Sequence, residues 1–131
     1  MASIFTKIIN GEIPCHKIAE SENYFAFLDI NPWEEGHTLV IPKKEVDYIF
    51  DLDNETYEGL MAFSKKVAYA VEKAIPCKRV GVLVEGLEVP HAHVHLIPII
   101  KHLVPKQKPK YTQEELAKTA ERIRANFEIK K

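Results

Sequence analysis

The sequence predicts an α+β fold, a five-stranded antiparallel sheet with two helices. Three observations point there. Short strand-like stretches follow one another through tight polar turns, one long amphipathic stretch interrupts them, and a second closes the chain. At 131 residues the chain can bury one substantial core and reads as a single domain. Its core spans residues 3–100, and a connector with an appended helix occupies 101–131.

The elements follow in order. "EIPCHKIAES" and "NYFAFLDINP" read as two strands joined by the polar "ESEN" turn, a hairpin. In the second, Tyr24, Ala26 and Leu28 alternate against Phe25, Phe27 and Asp29, which sets Asp29 on the face of the two phenylalanines. "NPWEEG" is a turn, and "HTLVIP" (His37 to Pro42) is the third strand. Asp53 is an N-cap for a helix whose Leu60, Met61, Ser64, Val67, Ala68 and Val71 recur at helical spacing, and Pro76 closes it. "CKRVGVLVEG" (Cys77 to Gly86) is the fourth strand, and the stretch around "VPHAHVHLIP" (Val89 to Pro98) is the fifth. The Pro- and Lys-rich "KHLVPKQKPK" is a connector. Beyond it, Thr112 and Glu115 form a capping box for a helix with Leu116, Ala120, Ile123 and Phe127 on one face. So few strands leave exposed sheet edges, and pairing with a second copy into a ten-stranded sheet would cover one, so a homodimer is expected.

Composition narrows the function classes. The 18 basic and 19 acidic residues nearly balance, giving no positive surplus to collect nucleic-acid phosphates or anionic lipid. The start "MASIFTKIINGEIP" lacks the basic and long apolar regions of a signal peptide, and no stretch reaches the roughly 20 apolar residues of a membrane span. Cys15 and Cys77 form no CxxC and read as free thiols in a reducing compartment. The expected address is the cytoplasm, with neither nucleic acid nor membrane as a partner.

His91, His93 and His95 alternate within five residues and supply half of the chain's six histidines. On a strand they would share one face, as a polar floor with rings about 7 Å apart, while Ala92, Val94 and Leu96 face the core. Three readings compete. They could be surface residues. Two of them could share a zinc ion, but Zn–N bonds of about 2.0–2.1 Å would not let all three converge. The favoured reading is a nucleophile in a polar row, since a neutral imidazole with its other nitrogen held by an acceptor attacks phosphorus well. His93, flanked on both sides, is then the nucleophile.

"HAHVHLI" matches the alternating His-φ-His-φ-His-φ-φ signature, and the chain resembles the histidine triad (HIT) family of nucleotide hydrolases and transferases. "IFTKIINGEIP", "FAFLDINP" and "GHTLVIPKK" are similar to the family's other segments in the same order. The resemblance implies a purine mononucleotide as substrate or product, its α-phosphate against the histidine row. His93 would attack that phosphorus and form a nucleotidyl-histidine, which water then resolves to release nucleoside monophosphate. His95 would meet the phosphate or the departing atom, His91 would orient its neighbours, and His37 would stand beside the triad. Asp29 would accept from the ribose hydroxyls, although an acid before "INP" also caps turns. Ile4, Phe5, Ile8, Phe27 and Ile30 would form the slot for the base, or serve as plain core.

Two departures from the family pattern follow. Many bacterial relatives hold a structural zinc with a CxxC, a histidine after "IPK" and the first triad histidine. Here those positions are Ser3, Thr6, Glu45 and His91, too few ligands for a closed site, so no structural metal and no cofactor are expected. Leu87 and Glu88 stand where relatives usually carry polar Gln and Ser, and two orientations of Glu88 are open, toward solvent or toward the nucleotide. A carboxylate there would bias the leaving group toward an amine. The expected function is hydrolysis of the bond between a purine nucleoside α-phosphate and its substituent, phosphoramidates above all. Dinucleoside polyphosphate hydrolysis and a nucleotide-binding regulatory module with vestigial catalysis are the alternatives. His16, His102, Lys43 and Lys44 are expected at the solvated surface.

Overall fold

The computed structural model describes residues 2–101 and 111–125. Its elements are helix α1 (Ile4–Ile9), strands β1 (Lys17–Glu20), β2 (Tyr24–Leu28) and β3 (Thr38–Pro42), a 3-10 turn (Ile49–Asp51), helix α2 (Asn54–Ala74), strands β4 (Arg79–Leu83) and β5 (Val94–Ile99), and helix α3 (Gln113–Ala125). The five strands form one sheet in the order β1-β2-β3-β5-β4, and every neighbouring pair is antiparallel. The expected fold class therefore holds, with one short helix added at the N-terminal end.

Register follows from the alternation of side chains. Phe27 pairs with Leu39, Leu39 with His95, and His95 with Leu83. These four side chains form a row across one face of the sheet. Ala26, Val40 and Val94 form the matching row on the opposite face. That second face packs on α2, where Leu60, Val67 and Val71 are buried in the same cluster. Leu60 is fully buried, a contribution on the order of 2 kcal/mol from its side chain. Asp53 caps α2 as expected, accepting the Thr56 N–H at 3.1 Å.

The face carrying the histidines is not the polar floor expected from the alternation. Phe25, Phe27, Leu39 and Ile41 build a second apolar cluster there, and Phe5 of α1 covers it. Both faces of β3 are thus covered, and all five of its residues are buried. The sequence stretch "IFTKII" gave no sign of this, because six residues are too few to show a helical period or to stand alone as a helix.

Gly36 turns the chain into β3 with φ of 90°, a left-handed conformation disfavoured for other residues. A Cβ there would also lie 2.7 Å from Ile75 Cγ1. This turn brings His37 to the start of β3, buried beside β5. The capping box before α3 is present, with Thr112 N–H donating to Glu115 and Glu115 N–H to Thr112 Oγ1. The side chains of the expected apolar face of α3 (Leu116, Ala120, Ile123, Phe127), and His102, lie outside the described residues. His16 and Lys44 are exposed, Lys43 partly so. Both cysteines are free, as expected. Among the described residues no helix is long and apolar enough to cross a membrane.

Candidate functional site

A cavity of about 230 Å³ opens between α1, the end of β2 and the start of β5. Its wall includes Ile4, Phe5, Ile8, Phe27, Asp29, Ile30 and Glu88, together with His93 and His95. All seven residues expected to meet the nucleotide are therefore gathered in one place with two of the triad histidines. Ile13, Pro14, Cys15, Leu39 and Val89 complete the wall and were not anticipated. Leu39 was legible in principle, since it stands opposite Phe27 in the sheet. The others come from loops whose path no local pattern encodes. Burial pushes the Cys15 thiol up, with Lys17 opposing, which favours its protonated form.

The three triad histidines do not share a strand face. β5 begins at Val94, and His91 and His93 lie in the turn that precedes it. The backbone explains this, because the His91 N–H bonds to the Val89 carbonyl and the Ala92 N–H to Val46 in a loop. The rings come closer than strand spacing would place them, with His93 and His95 centroids 5.0 Å apart. His91 is buried behind Phe5 and outside the cavity, their ring centroids 5.8 Å apart. His37 is buried behind His95, ring centroids 5.2 Å apart.

Hydrogen-bond partners assign the proton on each ring. Trp33 N–H donates to His37 Nδ1 at 3.0 Å. Neutral His37 therefore carries its proton on Nε2, which donates to His95 Nδ1 at 2.9 Å. His95 in turn must keep its proton on Nε2. His93 Nδ1 lies 2.7 Å from the His91 carbonyl, which can only accept. That carbonyl holds the proton on Nδ1 and leaves a free lone pair on His93 Nε2. His91 likewise donates from Nε2 to the Pro42 carbonyl at 2.7 Å and accepts the Ser3 hydroxyl at Nδ1, 2.8 Å away.

Electrostatics favour the neutral form of His37, His91 and His95. Burial lowers the His95 pKa to about 4, helped by His93 and His37 and opposed by Asp29. Burial also lowers His37 against the pull of Asp29, and lowers His91 against its bond to Pro42 and the charge of Glu45. Asp29 Oδ1 accepts the Asn31 N–H at 2.8 Å, so the acid does cap its turn. Its Oδ2 lies 3.6 Å from His37 Nε2. Glu88 is exposed at the mouth of the cavity, and Leu87 beside it is 84% exposed.

Asp29, His37 and His95 offer ligand atoms within 4.8 Å of one another, the spacing a metal ion would need. The proton assignment opposes that use. A metal on His37 Nε2 would push the proton to Nδ1, directly against the Trp33 N–H. The four positions of the family's zinc site also meet in space. Here Ser3, Thr6, Glu45 and His91 bond to one another instead.

The HIT domain model matches residues 10–102. The chain is 38% identical over 114 residues to an adenosine 5'-monophosphoramidase of Schizosaccharomyces pombe, covering 85% of this chain and 79% of that one. It is 40% identical over 102 residues to an adenosine 5'-monophosphoramidase of Saccharomyces cerevisiae, covering 74% and 62%. The crystal structure of a HIT family member from Bacillus subtilis superposes with a TM-score of 0.81 at 30% identity, covering 95% of this chain and 96% of that one.

Proposed function

The chain belongs to the histidine triad family and is a HIT-type enzyme, and from that premise we propose that it hydrolyses purine nucleoside phosphoramidates through a nucleotidyl-histidine on His93. The observation that carries this reading is the bond from His93 Nδ1–H to the His91 carbonyl, which aims a bare Nε2 lone pair from the cavity wall. In the first step His93 Nε2 bonds to phosphorus, and the P–N bond breaks with its electron pair leaving on nitrogen. The amine departs after taking one proton from solvent, which the second step returns. In the second step water attacks the phosphorus, its hydroxyl stays with the nucleotide and its other proton leaves, freeing His93. His95 Nε2–H meets the phosphate or the departing atom as a neutral donor. Asp29 accepts from the ribose hydroxyls through lone pairs that its turn bond leaves open. Ile4, Phe5, Ile8, Phe27 and Ile30 hold the base.

Glu88 at the cavity mouth favours an amine as leaving group over a second nucleotide, whose phosphates it would repel. The test is release of a fluorescent amine from an adenosine phosphoramidate, with His93→Ala and a dinucleoside polyphosphate alongside. Amine release abolished in the variant supports the reading. Tight nucleotide binding without turnover in either protein would point to a regulatory module, and faster cleavage of the polyphosphate to the other hydrolase.

The protein works as a homodimer joined at β4. That strand ends the sheet, and Val82 upon it is 58% exposed. Val82, Val84, Leu87, Tyr48 and Phe50 line one apolar cavity of about 530 Å³ that also reaches His93. The opposite edge, β1, has only four residues and carries charged Lys17 and Glu20, features that discourage pairing.

A further inference from the structure

Helix α1 supplies Phe5, whose ring stands 5.0 Å from His93 and 5.5 Å from Phe27, edge to face with both. With six residues and one buried side chain, α1 cannot hold itself in place. What ties it down is a polar chain on its first turn. Glu45 Oε1 accepts the Ser3 N–H at 2.8 Å and the Thr6 hydroxyl at 2.6 Å. Ser3 Oγ accepts the Thr6 N–H at 3.1 Å as the cap of the helix. Its own proton goes to His91 Nδ1, which carries none. His91 is anchored below by Pro42, and its carbonyl receives the His93 Nδ1 proton.

We propose that Glu45 is a positioning residue for His93, acting through the chain Glu45–Ser3–His91. Its carboxylate pins the first turn of α1, Ser3 then fixes the His91 ring, and the His91 carbonyl fixes the attacking tautomer of His93. The same two bonds hold the Glu45 carboxyl below the usual carboxylate range, so the anchor is charged at neutral pH. Removal of the carboxylate frees α1, and with it Ile4, Phe5 and Ile8 of the cavity wall, and lets the His91–His93 turn sample other geometries. This inference rests on the proposed role of His93.

The test compares the wild-type protein with Glu45→Ala, Glu45→Gln and Ser3→Ala in three measurements. These are phosphoramidate turnover, the ring-nitrogen NMR signals of His91 and His93, and hydrogen exchange of residues 3–9. In Glu45→Ala, kcat should fall by about tenfold or more, as small misplacements of a reacting group do. His93 should lose its single-tautomer signal, and α1 amides should exchange faster. Ser3→Ala should shift both histidine signals in the same direction. Gln, whose amide oxygen can accept both bonds, should restore kcat to within about twofold if geometry rather than charge is the lever. Unchanged kcat and unchanged ring signals in both alanine variants would overturn the proposal. If the wild-type protein turns over no phosphoramidate, the function reading fails, and the ring signals and exchange rates still decide whether Glu45 sets His93.

Discussion

His37 Nε2 lies 2.9 Å from His95 Nδ1, and the Trp33 N–H behind His37 decides which ring gives the proton. A cationic His95 would break this arrangement, since its protonated Nδ1 would face the His37 proton. The sign of the pH effect follows. His95 falls from the ordinary 6.5 to about 4 on folding, and His37 and His91 shift the same way. Between those values the unfolded chain binds more protons, so the stability that His95 contributes is fully present above about pH 6.5 and declines toward pH 4. A urea midpoint falling steadily across that window is expected, with the His95 ring titrating near its lower end. Titration of His95 near 6.5 by NMR would contradict the assignment.

Replacement of His37 tests the same relay through turnover. His37→Phe keeps a flat ring in the buried position and removes the Nε2–H that orients His95. The His95 tautomer then becomes free to change. kcat should drop roughly 10²-fold, the low end of what a positioned proton donor contributes. Affinity for nucleoside monophosphate should stay within a few-fold of wild type, measured by calorimetry. A large loss of affinity with kcat preserved would place His37 in binding instead.

How much of this was legible in the sequence depends on whether the controlling force is local. Alternation of Phe25 and Phe27 against Tyr24 and Ala26 announced both faces of β2, and each found the cluster its pattern implied. Leu60, Ser64, Val67 and Val71 lay on the buried stripe of α2 as their spacing required. The cap residues Asp53 and Thr112 act on neighbours three positions away, within reach of a local reading. His91 escaped it, because the bond that pulls its turn out of the strand comes from Val46. Helix α1 escaped as well, since its anchor, Glu45, is 39 residues from Thr6. The cavity residues resemblance pointed to are gathered together, whereas Cys15, Ile13 and Val89 needed the loops to be placed first.

Asp29 offers a prediction that separates its turn bond from its proposed contact with the ribose. Asp29→Asn keeps an oxygen for the Asn31 N–H and so keeps the turn. It loses the charge that would strengthen bonds from ribose hydroxyls. Affinity for AMP should fall about tenfold, in line with 1.5–3 kcal/mol for a hydrogen bond to a charged group, discounted because the amide still accepts one. Affinity for the 2′-deoxy nucleotide should change far less. Equal losses for both nucleotides would remove the 2′-hydroxyl from the role of Asp29.

The proposed pairing edge makes a separate prediction. Val82→Lys places a charge on an exposed strand position and should leave the monomer folded. Light scattering at tens of micromolar should show a dimer for wild type and a monomer for the variant. A wild-type monomer under those conditions would remove β4 as an interface.

Gly59, inside α2, sits under the ring of Tyr24. A Cβ there would lie 1.9 Å from Tyr24 Oη and 2.7 Å from its Cζ. The ring has little room to yield, since it stacks on Phe63 at 5.7 Å and its hydroxyl donates to the Thr56 carbonyl at 3.1 Å. Two effects therefore oppose each other in Gly59→Ala. Helix propensity gains about 1 kcal/mol, while forcing a packed ring aside loses roughly 1–3 kcal/mol. Loss of the Tyr24–Thr56 bond adds about 1 kcal/mol to the cost, so the variant should be less stable than wild type by urea denaturation. In a Tyr24→Ala background the obstruction is gone and only propensity remains. There the same Gly59→Ala change should stabilise the protein by up to about 1 kcal/mol. A destabilising effect of equal size in both backgrounds would show that Tyr24 is not what excludes a side chain at position 59.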